Sequence, residues 1–104
     1  MNITNITPTN FNDETSTGNV LLKFSAKWCG PCKIMDKALE EIKDQIDYKI
    51  CVVDVDECTK IASDFGVSTV PTIFKLSNGK IIDRLNGAVP KNLLLDWINK
   101  YIIR

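Results

Sequence analysis

The sequence of 104 residues has no histidine and no net charge, because thirteen Lys and Arg balance thirteen Asp and Glu. A neutral chain offers no electrostatic footprint to nucleic acid or to an anionic membrane surface, so neither is an expected partner. Long hydrophobic runs are also missing. None approaches the roughly 18 residues that a membrane span requires. The opening stretch MNITNITPTN has neither the basic nor the apolar segment of a secretory signal. Asn2-Ile3-Thr4 and Asn5-Ile6-Thr7 match the glycosylation pattern, but without a signal they read as chance in an Asn- and Ile-rich chain. Four cysteines are too few for a disulfide scaffold. These absences lead to the expectation of a soluble, cytoplasmic monomer in a reducing compartment.

What is present is ordinary for a globular protein, with 44% hydrophobic and 25% charged residues. The length predicts one domain over residues 1–104. A chain of this size buries roughly two thirds of its unfolded surface, enough for a core without staples.

Periodicity divides the chain into alternating elements. Asn2–Ile6 reads as a short edge strand, and Pro8 to Ser16 as a polar stretch with a Pro-started helix. Val20–Ala26 is nearly all apolar, the pattern of a strand covered on both faces. From Cys32 onward, Ile34, Ala38, Leu39, Ile42 and Ile46 recur at helical spacing. Tyr48–Asp54 is again a strand. Cys58, Ile61, Ala62 and Phe65 form one face of a short helix ended by Gly66. Thr72–Leu76 and Lys80–Leu85 flank Ser77-Asn78-Gly79, a hairpin signal. Pro90 opens a last helix with the stripe Leu93, Leu94, Trp97, Ile98, Tyr101 and Ile102. In the order β-α-β-α-β-α-β-β-α, strands separated by helices are expected to run parallel, and the final hairpin adds antiparallel strands. The expected fold class is α/β, a mixed sheet with helices on both faces.

Trp28-Cys29-Gly30-Pro31-Cys32 lies between the apolar strand and the amphipathic helix. Disulfide exchange needs a thiolate attacker and a second thiol that resolves the mixed disulfide. Two cysteines at this spacing supply both. Cys29 is expected at or just before the first helical turn, where free N–H groups and the helix dipole favour an anion. That position makes it acidic and open to substrate, with Cys32 shielded one turn further in. Gly30 relieves crowding, Pro31 stiffens the loop where a missing N–H costs little, and Trp28 offers a flat apolar shoulder.

A bare Cys-x-x-Cys also occurs in zinc sites. In this context, however, FSAKWCGPCK resembles the active-site segment of the thioredoxin family. VDVDECTKIASDFGVSTVPT resembles that family's third strand and following helix, and NGKIIDRLNGA its hairpin and the glycine beyond, so the resemblance spans nearly the whole chain. It implies a thioredoxin fold, a central mixed sheet of about five strands flanked by about four helices. It implies a protein-disulfide reductase acting through Cys29 and Cys32, with no metal or cofactor. Disulfide-containing proteins are the implied substrates, and a separate reductase the implied electron donor. Pro71 matches the family's cis-proline, which sets the backbone of Val70 opposite the nucleophile, and Gly87 and Ala88 match the other lip of the groove. On local sequence alone, Thr69-Val70-Pro71-Thr72 reads equally well as an ordinary turn before a strand.

The remaining cysteines, Cys51 and Cys58, read as small hydrophobes or as regulatory thiols. A four-cysteine zinc site fits poorly, since Cys51 and Cys58 are seven apart and no histidine can substitute. Lys23 is the departure from the family pattern, which has a buried aspartate six residues before the nucleophile. Val52 stands where a lysine is often found, and Lys37 replaces a helix-kinking proline, so a straighter helix is expected. Three readings of Lys23 compete. Its stem packs in the core while the amine reaches a gap at the surface. Or it stays charged near the sulfurs and favours thiolate. Or burial neutralises it, and the amine acts as base for Cys32. Two rival functions remain alongside the reductase: a binding scaffold with incidental redox activity, which Lys23 keeps open, and a disulfide-donating oxidase or isomerase. Gly-Pro between the cysteines resembles reducing members more than oxidising ones.

Overall fold

The structure, a computed structural model, describes residues 3–100. Five strands, β1 (Thr4–Asn5), β2 (Asn19–Ser25), β3 (Lys49–Asp54), β4 (Thr72–Ser77) and β5 (Lys80–Asn86), form one sheet in the order β1-β3-β2-β4-β5. Four helices intervene: α1 (Phe11–Thr15), α2 (Gly30–Ile42), α3 (Thr59–Asp64) and α4 (Lys91–Asn99). A single 3₁₀ turn, Lys43–Gln45, extends α2.

The alternation of side chains along β2 builds two cores. Leu21 points to a layer with Met35, Ala38, Leu39 and Ile42 of α2 and Leu94, Trp97 and Ile98 of α4. Val20, Leu22 and Phe24 point to the opposite layer, where Phe11, Phe65 and Phe74 gather under α1 and α3. The rings of Phe24 and Phe74 meet edge to face at 5.5 Å, and those of Phe65 and Phe74 at 5.0 Å. Val20 to Ala26 is buried throughout, as a central strand covered on both faces requires.

The expected α/β order holds, but several boundaries and one strand direction do not. β1 and β2 run parallel to β3, whereas β4 is antiparallel to β2 despite the helix between β3 and β4. The connecting residues 55–71 pack α3 and Phe65 against Phe24 and Phe74 instead of running back along β3, so the chain re-enters the sheet at the end it left. The first helix starts at Phe11 rather than Pro8. Thr7 N–H donates to Asn10 Oδ1 at 2.7 Å and Asn10 N–H to Thr7 Oγ1 at 3.2 Å, and this reciprocal pair holds Pro8–Asn10 in a turn. Ile34 and Leu93, placed in the apolar stripes by their spacing, are 65% and 52% exposed. The buried stripes centre on Met35 and Leu94, and a helix turns about 100° between consecutive residues. Tyr101 and Ile102, expected on the last helix, lie outside the described residues.

Asn78 and Gly79 carry positive φ angles of 49° and 82° between the paired residues Ser77 and Lys80, the two-residue turn whose twist suits a hairpin. Lys75 on β4, fully buried, was not singled out by its sequence pattern. Its ammonium donates to the carbonyls of Trp97 and Lys100 at the end of α4, and lies 4.7 Å from the centre of the Trp97 ring. A cation there satisfies carbonyls that the helix leaves open and opposes its negative end.

Candidate active site

Cys29 is the N-cap of α2, with extended backbone angles (φ −92°, ψ 108°). Its Sγ accepts the Cys32 N–H at 3.1 Å, so the sulfur occupies the place that an oxygen takes in an ordinary cap. Gly30 and Pro31 fill the first two helical positions, where proline's missing N–H has no partner to lose. Cys29 and Cys32 are joined as a disulfide across a Cα–Cα distance of 5.3 Å. In this oxidised state the expected contrast in exposure is small. Cys29 is 3% and Cys32 1% accessible, because Ala26, Val55 and Val70 pack around the pair. Cys29 has the cap geometry expected of an acidic thiol, but the oxidised pair lies at the base of its surroundings rather than on a projecting tip.

The surroundings come from separate parts of the chain. Trp28 is 71% exposed, and its indole N–H donates to Asp56 Oδ2 at 3.0 Å. Asp56 is steadied in turn by Asp54 Oδ1, which accepts the Asp56 and Glu57 N–H groups at 2.8 and 3.2 Å. A groove of about 110 Å³ is lined by Trp28, Val55, Val67 and Val70. The Val70–Pro71 bond is cis. Gly87, at φ 83°, donates its N–H to the Pro71 carbonyl at 2.7 Å, and exposed Ala88 follows it. Trp28 and Val70 thus line one groove, Val70 also packs against the cysteine pair beneath it, and Gly87 is tied to Pro71 beside it.

Lys23 sits on the α2 face of the sheet with no solvent access. Its Nζ donates to Cys32 O at 3.1 Å, to Ser25 Oγ at 3.2 Å and to Asp36 Oδ1. Burial pushes the Lys23 pKa down, and the hydrogen-bonded Asp36 carboxylate opposes that shift. Asp36, one turn beyond Cys32 on α2, was missed in the sequence. The signal lay in the need of a buried lysine for an anion, but nothing in the spacing says which anion. Asp56 was missed because an exposed indole N–H carries no signal for a partner far along the chain.

Cys51 and Cys58 stand apart from this site in the core beneath α1 and α3. Burial pushes the Cys51 thiol up to about 11 and raises that of Cys58. Cys58 precedes α3 as its N-cap rather than lying on its face.

A cysteine sulfur at a helix N-cap, disulfide-bonded to the third residue of that helix and bordered by a cis-proline loop, is the arrangement that the sequence resemblance implies. The thioredoxin family profile matches residues 2–100. The chain belongs to the thioredoxin family. It is 38% identical over 104 residues to the thioredoxin of Bacillus subtilis, covering 98% of this chain and 100% of that protein. It is 40% identical over 99 residues to that of Listeria monocytogenes, covering 93% and 96%. A mutant thioredoxin from Halobacterium salinarum NRC-1 superposes with a TM-score of 0.87 at 33% identity, covering 95% of this chain and 89% of that one. Like its family, the protein is a dithiol–disulfide oxidoreductase, a protein-disulfide reductase. Its five-stranded mixed sheet and four helices are the thioredoxin fold.

Proposed function

We propose that the chain acts as a single-domain, monomeric cytoplasmic reductant, in which Cys29 is the attacking thiol and Cys32 the resolving one. The observation that carries this assignment is the Cys29 Sγ at the α2 N-cap, accepting the Cys32 N–H. An anion at that sulfur gains the N–H bond and the positive end of the helix, so Cys29 ionises before an ordinary thiol does. Its thiolate attacks one sulfur of a substrate disulfide. The substrate S–S bond breaks, one substrate sulfur leaves as thiolate, and a mixed disulfide forms through Cys29. Cys32 then gives up its proton to water and attacks the Cys29 sulfur. The second substrate sulfur leaves as thiolate, and the protein is left with the Cys29–Cys32 bond. Two electrons have passed to the substrate, and its two thiolates take up protons from solvent. A dithiol-bearing reductase returns the electrons.

Trp28, Val70, Pro71, Gly87 and Ala88 form the docking surface in this reading. The groove between Trp28 and Val70 supports it, and the backbone of Val70, set by the cis bond to Pro71, is the edge to which a substrate strand would pair. Gly30 and Pro31 hold the loop, and Lys23 modulates Cys32. No helix among the described residues is long and apolar enough to cross a membrane.

Trapping tests the assignment of roles. Cys32→Ser is expected to accumulate a mixed disulfide between Cys29 and a disulfide-bearing substrate protein, released by excess dithiol. Cys29→Ser is expected to accumulate none. A complex with Cys32→Ser that resists dithiol would favour a binding scaffold, and trapping through Cys32 would reverse the roles.

A further inference from the structure

Three oxygens surround the Lys23 Nζ: Ser25 Oγ at 3.2 Å, the main-chain carbonyl of Cys32 at 3.1 Å and Asp36 Oδ1. An ammonium has three N–H donors and no lone pair, which matches that set. The carbonyl is the backbone of Cys32, so the charge lies within hydrogen-bond distance of the residue that carries one of the two redox sulfurs. From β3 and β4 the register neighbours of Lys23 are Val52 and Ile73, neither of them titratable. Asp36 is half exposed. A cleft of about 410 Å³ beside it is also lined by Lys27, Lys33, Asp54 and Glu57.

We propose that Asp36 is a positioning residue of the reaction, holding Lys23 in its charged form against Cys32 so that the ammonium favours thiolate at the cysteine pair. This rests on the dithiol reading of Cys29 and Cys32. A lone ammonium in a dry site sheds its proton rather than bear the loss of hydration. Burial already drives Lys23 in that direction, and Asp36 opposes it. Without Asp36 the positive field at Cys32 disappears together with the negative charge that sustained it.

The sign of the effect separates this arrangement from simple repulsion. A carboxylate one turn from Cys32, acting alone, opposes thiolate formation, and its removal would make the thiols more acidic. Acting through Lys23, its removal makes them less acidic. Lys27, Lys33, Asp54 and Glu57 are unchanged in every variant compared, so their contribution cancels.

The test is the pH dependence of alkylation of the reduced, full-length protein, with Cys29 and Cys32 resolved by peptide mass. The wild type is compared with Asp36→Asn, Asp36→Glu and Lys23→Met, each checked for native circular dichroism. The expected result is that the half-ionisation pH of the pair's more acidic thiol rises by about 1 in both Asp36→Asn and Lys23→Met, and returns close to wild type in Asp36→Glu. An unchanged or lowered value in Asp36→Asn overturns the proposal. An unchanged value in folded Lys23→Met does so as well. If Lys23→Met does not fold, half-exposed Asp36→Asn decides alone. Disulfide reduction by the wild type is measured separately. Its absence would count against the reductase reading while the thiol titration still reports on Asp36.

Discussion

Cys51 on β3 and Lys23 on β2 are both sealed from solvent, but on opposite faces of the sheet and with different partners. Lys23 has a carboxylate. Cys51 lies among apolar side chains with only a long contact to the Glu14 carbonyl, 4.0 Å away. Its thiol therefore stays neutral up to about 11 in the folded state, against 9.0 ordinarily. The neutral form is favoured in the native protein, so the unfolded state binds fewer protons above pH 9. Stability attributable to this thiol is intact below pH 9 and is lost as pH rises toward 11. The loss is on the order of 2–3 kcal/mol. Denaturant titrations of the wild type and Cys51→Ala under reducing conditions check this. The gap between the two stabilities is expected to narrow across that window, and a constant gap would contradict it.

Elements matter here through where they end. Cys29 can cap α2 because β2 delivers the chain to the helix N-terminus, with the Cys29 N–H bonded to the Ala26 carbonyl at 3.2 Å. The end of β5 is equally constrained. Gly87 turns the chain at φ 83° while bonding to Pro71, a conformation that costs an L-residue roughly 1–2 kcal/mol. A Cβ built there meets nothing within 4 Å, so the cost of Gly87→Ala is backbone conformation alone. Its unfolding free energy is expected to fall by about 1 kcal/mol in a denaturant titration. Gly30, also without a steric neighbour, lies in the first turn of α2 and has no positive φ. Gly30→Ala is therefore expected to leave stability unchanged or to raise it slightly.

On the scale of the whole molecule, zero net charge and the apolar lining of the proposed docking groove, Trp28, Val55, Val67 and Val70, leave little long-range steering of substrates. Apolar contact, which salt does not screen, is the main attraction. For an uncharged disulfide peptide, kcat/KM is expected to change less than about threefold between 10 and 500 mM salt. A steep salt dependence would place a charged patch, such as Lys27 with Glu57, in the docking surface.

Much of this architecture is local in origin and therefore readable along the chain. The apolar run of β2, the 3.6-residue period of α2 and α4, and the Asn78-Gly79 turn each depend on residues a few positions apart. So does the thiol chemistry, because a cap and a resolving cysteine need only one helical turn. Stripe edges were harder, since Ile34 and Leu93 differ from their buried neighbours by a rotation that hydrophobicity alone does not mark. What the tertiary structure alone decided is how distant segments meet. The direction of β4 follows from where α3 and Phe65 pack against the sheet, at the end where β3 leaves it. The junction of Gly87 with Pro71 and the bond of Trp28 to Asp56 depend on sheet order and loop packing. The anion for Lys23 lies thirteen residues away on α2, brought there by the helix's docking over β2. A buried charge dictates that a partner exists, since burial without one is too costly. Only packing selects which one.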